Sequence, residues 1–122
     1  MIFDKPNSVD LLEAIGHFLN TKIKSEVPAH LAFKLRIVEN VLNIVIREIE
    51  KGDELSNEVI NLLQSLIESD TQSIETLASM IKDEKIDLED QDLKDLLVTL
   101  SKNKITVDNP NYSTYKKLLD RI

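Results

Sequence analysis

The sequence predicts an all-α fold: one helical domain over residues 1–122, a bundle of five or six helices around a long central second helix. Apolar residues between positions 31 and 49 recur at steps of three and four, without Gly or Pro, which is the pattern of an amphipathic helix. Two Gly and three Pro in 122 residues leave little material for the turns between many short strands. A chain of this length is normally a single domain.

The helix around 31–49 is the most apolar segment of the chain. At about 100° per residue, its apolar arc covers roughly 220° of the circumference. A helix of this kind must pack on several sides, so we expect it to form the core, with Leu42 on its innermost row. We predict that it spans 30–51, after a break at Pro28 and before Gly52, which suits the position following a helix end.

Five further helices are predicted around it. The first begins at Ser8, its predicted N-cap, and runs to residue 24. Gly16 borders the apolar face of this helix, where the missing side chain lets a neighbouring helix approach closely. An extended stretch is predicted over 105–107. The remaining helices are predicted over 55–68, 72–82, 89–102 and 110–119.

Charge and composition disfavour several functions. The net charge is −7, with seven basic and ten acidic residues in 1–61 and eight and twelve in 62–122. A chain that is acidic throughout repels phosphate backbones, so no nucleic-acid partner is expected. The absence of Cys excludes thiolate chemistry and suits a cytoplasmic protein. Without a basic-then-apolar leader or a run of eighteen apolar residues, neither a signal peptide nor a membrane partner is expected.

No motif predicts an enzyme. Glu13 and His17 have the i,i+4 spacing of two helical metal ligands, but the helical wheel places them opposite the apolar face. A structural metal needs three or four convergent ligands, so we interpret them as a solvated pair and predict no metal site. The chain has no Gly-rich phosphate loop and no nucleophile–His–carboxylate set. We therefore predict no catalytic residue and no cofactor.

One polar stripe on the second helix is a candidate binding site. Arg36, Asn40, Asn43 and Arg47 follow one another at steps of four, three and four. Two Arg on one helix face can clasp an anion, although a solvated face with local ion pairs would show the same pattern. Glu48 falls inside the apolar arc, where a buried carboxylate needs a basic or hydroxyl partner or a place at the end of the bundle. The candidate binding residues are Arg36, Asn40, Arg47 and Glu48.

Three stretches together resemble a bacterial family of small helical proteins, a domain of unknown function. They are residues 11–15, residues 31–40 continuing to Arg47 and Glu48, and residues 105–115, and the family also commonly has an acidic stretch like residues 85–88. The candidate binding residues match positions typical of that family. Its members commonly have His where this chain has Lys34 and Arg where it has Asn111. The resemblance implies genes beside aminoglycoside-phosphotransferase-like kinases and acyl-CoA dehydrogenases, and thus an accessory role near such an enzyme.

The expected function is that of a non-catalytic helical accessory or protein-interaction module, either homodimeric or bound to a partner enzyme. The breadth of apolar surface on the second helix favours this interpretation. The alternative is a small-ligand-binding protein in which Arg36, Asn40 and Arg47 hold a phosphate or CoA-type anion. The two differ in whether the polar stripe faces a concave pocket or open water.

Overall fold

The computed structural model describes residues 4–67 and 73–119, and Leu118 by its backbone only. Within these ranges the protein is all-α and contains no strand, which confirms the predicted fold class. The five α-helices are α1 (Ser8–Phe18), α2 (Ala29–Leu66), α3 (Ile74–Lys82), α4 (Gln91–Asp108) and α5 (Ser113–Leu119).

The chain forms two compact units, residues 1–52 and residues 53–122, and α2 contributes to both. The prediction of a single domain stays a prediction. The first unit has seven basic and seven acidic residues, whereas the second has eight basic and fifteen acidic. The whole net charge of −7 therefore belongs to the second unit. Counting the charges over residues 1–61 and 62–122 hides this division, because that boundary lies within α2 beyond Gly52.

A reciprocal capping box begins α1. The Asn7 side chain accepts a hydrogen bond from the Asp10 N–H at 2.9 Å, and the Asp10 carboxylate accepts from the Asn7 N–H at 3.0 Å. The prediction of Ser8 as the N-cap was wrong by one residue, because Asn7 lies three residues before a carboxylate and can exchange both bonds with it. The Asn7 N–H, helped by Lys5, holds the pKa of Asp10 below its ordinary value.

The first helix changes its winding before it ends. α-Helical geometry stops at Phe18, a π-helical turn follows over Leu19–Ile23, and a 3₁₀ turn covers Lys24–Glu26. The Thr21 hydroxyl donates to the His17 carbonyl at 2.7 Å across this change of pitch. Val27 is then extended, so the predicted break before α2 is confirmed.

The predicted end of the second helix at Gly52 is wrong. α2 continues to Leu66 and merges the helices predicted over 30–51 and 55–68. Gly52 does not have the positive φ of a helix-terminating glycine, and a Cβ atom built on it would lie 3.8 Å from Glu48 Cγ, an ordinary contact. Gly52 is thus an interior helical residue with room for a side chain.

This position gives the first testable prediction. Replacing Gly52 with Ala should raise the free energy of unfolding by about 0.5–1 kcal/mol, because Ala loses less backbone entropy than Gly in a helix interior. Chemical denaturation measures the change, with Gly16→Ala as a second helical site that has equal room. A loss of stability in Gly52→Ala would mean that the residue ends a helix in a left-handed conformation.

The buried core lies in the second unit. It is formed where the last three turns of α2 meet α3 and α4, and Leu93 and Leu96 are almost fully buried there. Its partly buried flank includes Leu100, Met80 and Ile86. The buried cluster consists of Val59, Leu63, Ile67, Leu77, Leu93 and Leu96.

The core is therefore not where the apolar arc predicted it. The buried residues of α2 are Val59 and Leu63, and none lies in its first 24 residues. Leu42, expected on the innermost row, is only half-buried. An apolar arc reports which side chains favour burial, but the arrangement of neighbouring helices decides which of them are covered.

The C-terminal helices also differ from the prediction. Residues 105–107 are helical rather than extended, because α4 continues to Asp108 and buries Val107. The β-propensity of these residues is overridden by this burial. α5 begins at Ser113, three residues later than predicted, and its buried Tyr115 hydrogen-bonds Thr106 at 2.8 Å between the hydroxyls. The predicted helix start at residue 72 lies outside the described residues.

Candidate interaction surface

The first unit is built on a contact between α1 and the first half of α2. The two helices meet near Gly16, where an added Cβ atom would lie 3.9 Å from Leu42 Cδ1, an ordinary contact. Just beyond α1, Lys24 Nζ lies 3.8 Å from a carboxylate oxygen of Glu39, and both side chains are largely covered. Gly16 borders the neighbouring helix as predicted, but the approach leaves room for a Cβ atom and does not depend on the missing side chain. The long ion pair adds little stability at a partly exposed site.

One side of this helix pair has a cavity of mixed character. The cavity, of about 240 Å³, has Glu13, His17 and Asn20 of α1 and the adjoining turn on one wall and Glu39 and Asn43 of α2 on the other, and its lining also includes Leu12, Leu42 and Ile46. Glu13 and His17 are both exposed. The Glu39 Oε1 atom is buried and has no hydrogen-bond partner in the described part of the chain. With carboxylates on both walls, the cavity suits a hydrogen-bond donor better than an anion.

The structure separates the four predicted binding residues. Arg36 and Asn40 are exposed and line an open depression of about 420 Å³ together with Glu39, Ile37 and Asn43. Arg47 is half-buried one turn further on, is engaged in an interaction of its own, and does not line this depression. The stripe thus faces a shallow, solvent-open surface.

Glu48 belongs to a different surface. The sequence placed it inside the apolar arc and predicted that a buried carboxylate there would need a partner. It is instead exposed, so the expected burial is wrong. The reason is that the surrounding apolar residues are themselves exposed: Val41 is 52% exposed and Val45 37%.

The apolar side chains around Glu48 form the largest exposed apolar surface in the first unit. We call it the apolar face of α2. It comprises seven residues: Leu31, Phe33, Ile37, Val38, Val41, Val45 and Ile49. From the sequence, these residues were predicted to lie in the core. The excess width of the apolar arc was the signal that part of it would stay uncovered within the chain.

A stripe on α1 extends this face. Leu11, Ile15 and Phe18 are 53%, 49% and 54% exposed and lie at i, i+4 and i+7 on one side of the helix. The cavity occupies one flank of the α1–α2 contact. At about 100° per residue, the α1 stripe and the nearer edge of the α2 face fall on the opposite flank. The exposed apolar side chains of the first unit therefore gather on the side away from the cavity.

No residue in the described part of the first unit is buried. Two helices joined in this way leave much apolar surface in water, and burial of that surface is the gain that offsets the entropy of ordering a chain. The ten residues of the face and stripe remain 37–59% exposed. Contiguous apolar surface of this extent on a folded chain marks an interaction site.

Among the described residues of the second unit, Asn103 is the one buried polar residue, at 5% exposed. Its amide nitrogen donates to the Leu55 carbonyl at 3.0 Å and to a Glu58 carboxylate oxygen at 3.1 Å. Both acceptors fix the orientation of the amide, and Lys102 lies 3.9 Å from the other oxygen of Glu58. This cluster ties α4 to α2, and its chemistry is structural.

Two further features bear on function. Across residues 4–67 and 73–119, no three His, Cys, Asp or Glu side chains come together as metal ligands would. In the same ranges, no helix combines the length and apolar character that crossing a bilayer requires.

The fold and the surface define a small helical protein with an exposed apolar face and a separate acidic unit that holds the core. The chain belongs to the family DUF6285, a domain of unknown function, which it matches over residues 25–112. The match begins just before α2 and ends before α5, so it includes the apolar face of α2 but not α1. No curated protein and no solved structure matches the chain.

Proposed function

We propose that this protein is a non-catalytic protein-interaction module and that the apolar face of α2, with the α1 stripe, is the surface that binds its partner. One observation carries the proposal: the first unit buries none of its described residues, while ten apolar side chains on one side stay 37–59% exposed. Covering apolar surface is favourable by about 25 cal/mol per Å². A partner that covers this side supplies the burial that the unit lacks.

The side that holds the cavity gives less support to catalysis. The cavity there is lined by Leu12, Leu42 and Ile46 as well as by carboxylates, amides and His17, and no Ser, Thr, Cys or Lys that could act as a nucleophile is among its lining residues. The accessory role implied by the family resemblance is a specific version of the proposal, in which the partner is a kinase-like enzyme or an acyl-CoA dehydrogenase.

An anion-binding protein is the second candidate. Arg36 and Asn40 in the open depression favour it, since guanidinium and amide groups are suitable donors for a phosphate or CoA-type group. The Glu39 carboxylate lines the same depression and opposes an anion. The interaction module is therefore the better supported function.

Site-specific photocrosslinking tests the proposal in cells that express the full chain. A benzophenone amino acid replaces Ile37, at the centre of the apolar face of α2. The matched control is the same probe at Val98 of α4, since Ile37 is 51% exposed and Val98 is 50% exposed. We expect a discrete covalent adduct at Ile37, at least about fivefold stronger than at Val98, with the captured protein identified by mass spectrometry.

Two results would contradict the proposal. An Ile37 probe that yields no adduct would mean that the apolar face has no macromolecular partner. Equal labelling from Ile37 and Val98 would mean that exposed apolar residues of this chain are captured indiscriminately. A kinase-like enzyme or an acyl-CoA dehydrogenase in the adduct would support the specific version of the accessory role.

A further inference from the structure

The charges on the apolar face of α2 are arranged symmetrically. Lys34 and Glu48 project from within the face, and both are exposed. Neither forms an ion pair with a described residue. Each is seven residues from Val41, or about 10 Å along the helix axis in opposite directions. The face therefore carries opposite charges at equal distances from its midpoint.

This pattern is self-complementary in one orientation. We propose that the partner of the apolar face is a second copy of this chain, with the two α2 helices packed antiparallel around Val41. Lys34 of each copy then lies opposite Glu48 of the other, and the two ion pairs are related by a two-fold axis through Val41. This inference rests on the proposed function and names its partner.

The apolar residues pair in the same register. Ile37 is four residues before Val41 and Val45 is four after it, so each Ile37 faces Val45 of the second copy. Phe33 and Ile49, eight residues before and after the axis, lie on opposite edges of the face and border the contact. An isologous contact of this kind uses the same patch twice, which is the commonest symmetry of soluble oligomers. The two first units are then joined through their α2 helices.

A parallel arrangement places like charges together. Lys34 would then lie opposite Lys34 of the second copy, and Glu48 opposite Glu48, within an apolar interface where repulsion is weakly screened. The two charges thus favour the antiparallel orientation and oppose the parallel one.

The division of charge between the units also suits self-association through the first unit. Residues 1–52 carry equal numbers of basic and acidic groups, so two copies of this unit do not repel each other. The net charge of −7 belongs to residues 53–122, where a contact between copies would be opposed. The apolar and electrically neutral part of the chain is thus the part that can meet its own copy.

Charge reversal tests the pairing in the purified full chain, with the dissociation constant measured by analytical ultracentrifugation. We expect the wild type to sediment as a dimer. Lys34→Glu and Glu48→Lys, each alone, should weaken the dimer about tenfold or more, because each substitution creates two repulsive pairs. The double variant K34E/E48K should return to within about threefold of wild type. An equimolar mixture of the two single variants should associate as tightly, as a heterodimer.

Cysteine crosslinking tests the axis and the orientation. The chain has no native Cys, so each introduced thiol reports one position. Val41→Cys should form an intermolecular disulfide on mild oxidation, because the two residues meet at the axis. Lys34→Cys alone should not, since antiparallel helices hold the two copies of position 34 about 21 Å apart along the axis. A mixture of Lys34→Cys and Glu48→Cys chains should crosslink, because these two positions lie opposite each other and one native ion pair is kept.

The outcomes separate this inference from the proposed function. A monomeric wild type whose Ile37 photoprobe captures a different protein would overturn the second copy as partner and leave the interaction module intact. A dimer in which Lys34→Cys crosslinks to itself would overturn the antiparallel orientation. Single charge reversals that leave the dissociation constant unchanged would overturn the pairing of Lys34 with Glu48. An Ile37 photoprobe that captures nothing would overturn both proposals.

Discussion

Leu96→Ala is expected to lower the free energy of unfolding by about 3–5 kcal/mol, in the upper part of the range for a buried Leu. Leu96 is 0% exposed at the centre of the core that α2, α3 and α4 form. Truncation removes the transfer free energy of the deleted carbons and leaves a cavity that the rigid surroundings fill only in part. Urea denaturation, at one protein concentration for all variants, measures the loss.

Leu97→Ala is the matched control. Leu97 follows in the same helix and is 41% exposed, so the same truncation should lower stability by about 1 kcal/mol or less. Equal losses in the two variants would mean that α4 does not present Leu96 to the core. Leu42→Ala should fall between them, since Leu42 is half-buried against α1.

Asn103→Asp is expected to destabilise the protein by about 3–5 kcal/mol at pH 7, the scale of a buried unpaired charge. The substitution keeps the shape of the side chain but replaces a donor with a carboxylate. That carboxylate would face the Leu55 carbonyl and the Glu58 carboxylate, which the native amide contacts at 3.0 and 3.1 Å. It would lose both hydrogen bonds and gain a like charge at a site only 5% exposed.

The effect should depend on pH in a defined direction. Burial and Glu58 would raise the pKa of an Asp at position 103 in the folded protein above its unfolded value of about 3.9. The charge-related part of the destabilisation is therefore absent below about pH 3.9, grows as the pH rises through the folded-state pKa, and is complete above it. The difference in unfolding free energy from wild type should thus be smaller at pH 4.5 than at pH 7.

Asn57→Asp is the control for the second prediction. Asn57 is an exposed residue of α2 in the same unit, so the new carboxylate stays hydrated and the change should be within about 0.5 kcal/mol. An Asn103→Asp variant with the stability of wild type at pH 7, or with a loss that does not vary with pH, would contradict the buried position of this amide.

Local patterns in the sequence were sufficient for part of the fold. The helices over 8–18, 74–82 and 91–102 lie within predicted segments, because apolar spacing and capping residues act over three to seven residues. Predictions at the ends were less successful. Gly52 was read as a helix end because Gly often occupies that position, but a favourable residue type is not sufficient when the chain on both sides can continue the helix.

The candidate surface was recognised only in part. The sequence showed that the apolar arc of the second helix is unusually wide and that Glu48 falls inside it. The width of the arc favoured a role in protein interaction. The sequence assigned Phe33, Ile37 and Val41 to a core, because periodicity marks a side chain as apolar without saying what covers it. The pairing of Lys34 with Glu48 about Val41 became visible only once both were known to be exposed on one continuous face.

By itself, the sequence determined that this protein is helical, that its second helix is apolar over an unusually wide arc, and that it lacks the residues of common catalytic motifs. These properties depend on residue type and short-range spacing. Tertiary structure alone decided that α2 runs through Gly52, that the core gathers around Leu93 and Leu96, and that the apolar face of α2 stays exposed. These properties depend on which helices meet, and that is set by contacts between residues up to 48 positions apart, such as Leu55 and Asn103.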